Sequence, residues 1–315
     1  MTPPPSILIV GAGAIGALYG SALARQGAAV SVVCRSDFEQ VQRHGYAIRS
    51  PLLGDHVFRP HAVLREVAQC TTPPDYLILT VKVLPDVDRV ALIRPAVGPG
   101  TTIVLIENGI DIEDELVAAF PGNELLSTLA FVQVSRTGQG EIVHHALGSL
   151  SMGCYPAGIT PAAERLAALL GASKIECRLT SNVVAARWQK AVWNTAFNPI
   201  SVLGGVFDTE MMLRTPENQQ LIRLAMNEVC AAAAAAGHPM HPKLVDRMIA
   251  DTRALPGYKT SMALDYENGR PMEIEAILGN VVRSGRKNNV AMPVLETVYA
   301  LAQMVQNKQD PNPSR

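Results

Sequence analysis

A chain of 315 residues with 48% hydrophobic and 17% charged residues can build one large core or two ordinary ones, and this composition excludes intrinsic disorder. Its 28 acidic and 27 basic residues nearly cancel, so no global field draws nucleic acid and no polybasic run suits a membrane surface. No apolar stretch reaches the length of a membrane span, and the five scattered cysteines, Cys34, Cys70, Cys154, Cys177 and Cys230, form neither a CxxC pair nor an even disulfide set. The first elements alternate short apolar runs with helical stretches. Ile7–Val10 is a strand ending in glycines, Ala14–Gln26 a helix stopped by Gly27, and Val30–Cys34 a second strand. Tyr76–Val81 and Thr102–Ile106 are apolar without alternation, as expected of a parallel sheet covered on both faces. Residues 125–154 read as two antiparallel strands around the turn RTGQG, placed at the sheet edge.

Beyond about residue 180 the strand pattern stops and Ala, Leu, Met, Arg and Glu dominate. Helices are expected near 181–198, 217–236, 241–253, 260–268, 272–287 and 293–307, separated by Pro199, Gly237–Pro239, Pro256–Gly257 and Gly269–Pro271. Pro199 disfavours helix at Asn198 and places a helix end or kink there. The tail 306–315 should be loose. The fold expected is α/β: an N-terminal Rossmann-type parallel sheet with antiparallel edge strands over 1–178, then an all-helical domain over 179–315. MTPPPSILIVGAG has no basic segment ahead of a long apolar run, so no secretory leader is expected and the reading is a cytoplasmic protein.

Gly11, Ala12, Gly13, Ala14, Ile15 and Gly16 spell GxGxxG between a strand and a helix, with a second strand following. That context separates a dinucleotide-binding turn from a chance glycine cluster. Gly11 allows the tight turn, Gly13 the approach of a pyrophosphate, and Gly16 close packing of helix on strand. The second strand ends in Cys34-Arg35-Ser36, with no acid for a ribose 2′-hydroxyl. Arg35 suits the 2′-phosphate of NADPH, the alternative being a solvated loop arginine. Lys82 and Asn108 each follow a predicted parallel strand, where ligands of such sheets bind, although Asn108-Gly109 also reads as a simple turn.

Lys190, Asn194 and Asn198 stand at i, i+4 and i+8 and so share one helix face. The row makes a polar wall for a small oxygen-rich ligand, or else a solvated face. A partly desolvated lysine has a lowered pKa, which suits it to general-acid work. Ser261 follows Thr260 at a helix start, where helix-end chemistry explains a hydroxyl, and Glu273 lies where an acid favours a helix dipole. His144, His145, His238 and His241 have no companion ligands, and a metal site is not expected.

The ordered motifs GAGAIG with Arg35, TVK at 80–82, ENG at 107–109, RWQKAVWNTAFNPI at 187–200, SMALDYENGRPMEIEAILGNVV at 261–282 and VAMPVLETVYAL near the end resemble the 2-dehydropantoate 2-reductase (ketopantoate reductase) family over residues 6–305. The resemblance implies NADPH-dependent reduction of 2-dehydropantoate to (R)-pantoate, a step toward coenzyme A, with the site between a Rossmann and a helical domain. It makes Lys190 the general acid and Glu273 its partner in the site. Asn108, Asn194, Asn198 and Ser261 become substrate ligands, and Lys82, Asn108 and Glu273 join the glycine turn and Arg35 around the cofactor. Another small 2-oxo acid on the same scaffold is the nearest alternative. A non-catalytic NADP(H) sensor is the alternative from another class, but it has no use for Lys190, Asn194, Ser261 and Glu273 together. The expected partner is a small 2-oxo acid, with neither nucleic acid nor membrane, and a homodimer is compatible with this reading.

Overall fold

The structure, a computed structural model, describes residues 4–309. The chain divides into two compact units. The first takes the chain up to Lys82, then Val87–Glu107 and Glu113–Val183; the second takes Val83–Asp86, Asn108–Ile112 and the chain from Val184 onward. Two short segments of the first half thus belong to the helical unit.

The first unit is built on a ten-stranded sheet of β1 (Ser6–Val10), β2 (Ala29–Val33), β3 (Tyr46–Arg49), β4 (His56–Phe58), β5 (Val63–Leu64), β6 (Tyr76–Leu79), β7 (Thr102–Ile106), β8 (Leu125–Gly138), β9 (Glu141–Cys154) and β10 (Cys177–Leu179). The order is β4-β3-β9-β8-β7-β6-β1-β2-β5, with β10 also on β9. Only β3–β4 and β8–β9 pair antiparallel among the described residues. The 125–154 hairpin therefore does not end the sheet as expected: β3 joins β9 beyond it, and the antiparallel edge strand is β4. The shortness of β3 and β4 hid them, because four and three residues carry little pattern of their own.

Helices α1 (Ala14–Ala24), α2 (Phe38–His44), α3 (Arg89–Ile93), α4 (Asp114–Ala119) and α5 (Pro161–Ala172) complete this unit. Alternate residues of β1 face opposite cores. Ile7 and Ile9 pack with residues of α1 and α5, while Leu8 and Val10 pack with Leu77, Leu79, Ile103, Leu105 and Leu116. That two-sided burial is why these strands read as unbroken apolar runs. Buried Arg89, at the start of α3, pairs with buried Glu107 at 2.6 Å and with Glu115 at 2.8 Å.

The second unit contains α6 (Val183–Leu203), α7 (Thr209–Met212), α8 (Pro216–Ala235), α9 (Leu244–Ala254), α10 (Ser261–Glu267), a π-helical turn (Glu275–Gly279) running into α11 (Asn280–Lys287), and α12 (Pro293–Gln309). Its core gathers Trp188, Val192, Ala196 and Phe197 of α6 with residues of α8, α10, α11 and α12, and includes Ile110. Pro199 lies inside α6, which does not end at Asn198. Burial of Phe197 and Val202 on either side of the proline outweighs its local preference. At the other end, α12 continues through Gln309, so residues 306–309 of the tail expected to be loose are helical, and 310–315 lie outside the described residues. No helix among the described residues is long and apolar enough to cross a membrane.

Candidate functional site

In the first unit the glycine turn joins β1 to α1. Gly11 has φ +94°, and a Cβ there would fall 2.7 Å from Val81 Cγ1 and 2.9 Å from Val81 N, so only glycine fits. A Cβ on Gly16 would fall 2.8 Å from Ile9 Cγ2, which is the close helix–strand contact read from the motif. A Cβ on Gly13 would meet no protein atom closer than 4.0 Å. The turn is braced from the side: Thr80 Oγ1 donates to Gly11 O at 2.6 Å, and the buried Tyr46 hydroxyl donates to Ala12 O at 2.8 Å. No side chain caps α1, so the first-turn N–H groups around Ala14 and Ile15 keep their positive end for an anion. The open approach at Gly13 and the uncapped N-terminus fit a bound pyrophosphate.

Arg35 is exposed just past β2. Asp37, the first acid after this strand, is buried and already engaged: its Oδ1 accepts from Arg136 Nη1 at 2.9 Å and its Oδ2 from Gly140 N at 3.1 Å. Arg136 Nη1 also donates to Ser36 Oγ at 2.9 Å. A second cation, carried by β8 from a hundred residues away, thus stands beside Arg35-Ser36. Lys82 is half-buried, three residues beyond the end of β6.

The second unit assembles a different constellation. Lys190 Nζ, on α6, donates to Asn108 Oδ1 at 2.9 Å. Burial brings the lysine pKa down from 10.5 to about 7; the neighbouring Arg187 charge adds to the depression, and Glu273 opposes it. Glu273 is itself buried, and its Oε1 accepts from Val83 N at 3.0 Å. Arg187, three residues before the lysine and buried, donates from Nη1 to Gly109 O at 3.1 Å. Gly109 has φ +109°, and a Cβ there would come within 2.6 Å of Ala276 O. Gly109→Ala is expected to cost about 1–3 kcal/mol of stability, read from urea unfolding. An unchanged transition would mean that the 108–112 segment has room to move.

Asn194 is half-buried and Asn198 only 2% exposed, on the same row of an unbroken α6 as Lys190. Ser261 is exposed at the first position of α10. The capping role that explained it locally belongs to its neighbour: Thr260 Oγ1 accepts from Ala263 N at 3.1 Å. Thr260 is also hydrogen-bonded to Ser201 at 2.8 Å, and Ser201 Oγ donates to Asn198 O at 2.8 Å, which pins the start of α10 to the turn that carries Asn198.

Two family models match the chain: "Ketopantoate reductase PanE/ApbA" over residues 7–157 and "Ketopantoate reductase PanE/ApbA C terminal" over residues 182–306. The chain belongs to the ketopantoate reductase family. It is 51% identical to the crystal structure of 2-dehydropantoate 2-reductase from Methylococcus capsulatus, which superposes with a TM-score of 0.91 over 97% of this chain and 98% of that one. A curated 2-dehydropantoate 2-reductase from Nostoc sp. is 28% identical over 296 residues, 92% of either chain. The fold is also that of D-mandelate dehydrogenase in its ternary structure with NADH and anilino(oxo)acetate, at 22% identity and a TM-score of 0.88 over 96% of this chain and 99% of that one. Membership of the family makes this chain an oxidoreductase with a Rossmann-type sheet and a helical C-terminal part.

Within this ketopantoate reductase scaffold the second unit brings Asn108, Lys190 and Glu273 together. The glycine turn, Arg35 and Lys82 belong to the first unit. Sequence reasoning missed Arg136, Arg187, Thr80 and the Val83 amide. Thr80 and Arg187 left a signal, Thr80 as the hydroxyl residue of the TVK motif one step past β6 and Arg187 as the first residue of the 187–200 motif.

Proposed function

We propose that this chain reduces 2-dehydropantoate to (R)-pantoate with NADPH. Residues 1–178 supply the cofactor part, and 179–315, with Asn108, supply the substrate and catalytic part. The observation that carries the reading is the half-buried lysine with a pKa brought down to about 7, hydrogen-bonded to Asn108 and facing Glu273. An amine that titrates near neutrality can give up a proton during turnover, which an ordinary surface lysine does poorly.

The residues present fit a dinucleotide: the 11–16 turn and the α1 N-terminus for the pyrophosphate, Arg35 and Ser36 with Arg136 for a 2′-phosphate, and Lys82, Asn108 and Glu273 for the nicotinamide end. When bound, the nicotinamide supplies the hydride that goes to C2 of the substrate. The chain's own residues do the rest. Lys190 holds at Nζ the proton that the ketone oxygen takes up, and Asn108 Oδ1 fixes the direction of that ammonium. Glu273, held by the Val83 amide, keeps a negative charge beside the lysine and favours its protonated form. Asn194 and Asn198, stacked on the same helix face, present amides to the substrate's hydroxyl and carboxylate ends. The Ser261 hydroxyl, which the cap at Thr260 leaves available, serves as a donor to the carboxylate.

Cofactor choice gives an independent check. A charge-assisted bond to phosphate is worth about 1.5–3 kcal/mol, roughly tenfold to a hundredfold in preference. Arg35→Ala is expected to raise the KM for NADPH by that factor and leave NADH use nearly unchanged, with Arg136→Ala acting in the same direction. Equal losses with both cofactors would remove Arg35 from the 2′-phosphate.

The shared fold of D-mandelate dehydrogenase favours one second reading, another small 2-oxo acid on the same scaffold. A panel of 2-oxo acids assayed with NADPH separates the two. The proposal expects the highest kcat/KM for 2-dehydropantoate. A clear preference for an aryl or unbranched 2-oxo acid overturns the substrate assignment, and no turnover of any 2-oxo acid overturns the reductase reading itself.

A further inference from the structure

The segment 108–112 that carries Asn108 is held from one side by the π-helical turn Glu275–Gly279. In an α-helix each carbonyl is taken by the N–H four residues on; a π turn shifts that pairing and recurs at functional sites. Here two carbonyls of the turn accept from outside the helix. Ala276 O accepts from Ile110 N at 3.3 Å, and Ile277 O accepts from the fully buried Thr195 hydroxyl at 2.8 Å. Thr195 lies on α6 beside Asn194, one turn beyond Lys190. The first residue after the turn, Asn280, closes the grip by donating from Nδ2 to Ile110 O at 2.6 Å. Arg283 donates to Asn280 Oδ1 and, from Nη1, to Glu275 Oε2 at 2.6 Å; Tyr299 Oη donates to the other oxygen of Glu275 at 2.7 Å. With Arg283 on its oxygen, the Asn280 amide can only turn its nitrogen toward Ile110.

We propose that the π turn, with Thr195 and Asn280, is a positioning device that locks the 108–112 segment to α6 and so sets Asn108 on the catalytic amine. Asn280 and Thr195 are positioning residues, acting through Asn108. The proposal rests on the reading of Lys190 as proton donor. Polar or charged groups that face Lys190 include Arg187 on α6, Glu273 on the segment before the π turn, and Asn108 on the 108–112 segment. Asn108 offers an acceptor, which favours the charged ammonium. Loosening Asn108 therefore pushes the lysine pKa down and moves the alkaline fall of the reduction rate to lower pH.

The test compares Asn280→Ala, Thr195→Val and Thr195→Ser with the unaltered enzyme, reading kcat, KM and NADPH Kd, and the pH profile of kcat/KM. Competitive acetylation of Lys190, followed by mass spectrometry across pH, reports the same amine without turnover. Loss of one such hydrogen bond is expected to lower kcat about three- to tenfold in Asn280→Ala and Thr195→Val. The alkaline limb and the acetylation midpoint should both shift to lower pH, with NADPH Kd unchanged. Thr195→Ser, which keeps the hydroxyl, is expected to restore the original profile. If Thr195→Val does not fold, the half-buried Asn280 decides alone. Folded variants with unchanged kcat, limb and acetylation midpoint overturn the proposal. If the unaltered enzyme reduces no 2-oxo acid, the functional reading fails instead, and the acetylation midpoints still decide whether the π turn governs the amine.

Discussion

Lys190→Ala is expected to lower kcat for reduction by about 10²–10⁴, the range for loss of a general acid, while NADPH Kd changes far less because the proposed phosphate contacts belong to the other unit. The unaltered enzyme should lose reductase activity as pH rises through the lysine's pKa, about 7 before ligands bind, because the neutral amine has no proton to give. In the alanine variant the residual rate should lack this limb. The same burial has a consequence for stability. The folded-state pKa lies below the ordinary 10.5, so the charged form is disfavoured by folding, and the penalty is fullest at low pH. As pH rises from about 7 toward 10.5 the folded lysine has shed its proton and the unfolded one has not, so the protein gains stability. Lys190→Met is therefore expected to raise the melting temperature at neutral pH while abolishing activity. A variant with near-normal kcat, an unchanged alkaline limb and no gain in stability would leave Lys190 as an ordinary helix lysine.

Arg89→Ala is expected to destabilise the protein by about 3–5 kcal/mol, because it removes one side of a buried ion pair. Glu107 stands immediately before Asn108 in the chain, so the substitution also loosens the end of β7 from which the 108–112 segment departs. Replacing both partners, as Arg89→Met with Glu107→Leu, should recover most of the loss, since an apolar pair carries no desolvation penalty. The midpoints of urea unfolding curves decide this. A cost below about 1 kcal/mol for Arg89→Ala would mean that water or another group reaches Glu107.

The parts of this molecule that read directly from the sequence are those with short-range periodicity. The apolar runs of β1, β6 and β7 declared a two-sided sheet, and the glycine spacing at 11, 13 and 16 declared a turn whose tight contacts are those with Val81 and Ile9. The row Lys190, Asn194 and Asn198 was legible because a helix repeats its face every three to four residues, and Pro199 misled only about where that helix ends. Short elements were not legible: β3 and β4 are stabilised by pairing with β9 and with each other rather than by a pattern of their own. Contacts between distant residues were also hidden. Arg136 reaches Ser36 across a separation of 100 residues, Val83 N reaches Glu273 across 190, and Asn280 reaches Ile110 across 170. For Asn108, Ser261 and Glu273, local chemistry allowed a turn, a cap and a dipole partner. Thr260 takes the cap, and Glu273 lies before the π turn, bonded to a backbone amide.

The account turns on reduction of the ketone carbon of 2-dehydropantoate by NADPH, and isotope transfer tests it most directly. The purified protein is incubated with 2-dehydropantoate and NADPH carrying deuterium in the transferable position, and the product is resolved on a chiral phase and weighed. The account predicts (R)-pantoate with one deuterium at C2, formed by the unaltered enzyme and reduced at least a hundredfold in Lys190→Ala. Unlabelled product, the (S) enantiomer, or no pantoate while another 2-oxo acid takes up the label would contradict it.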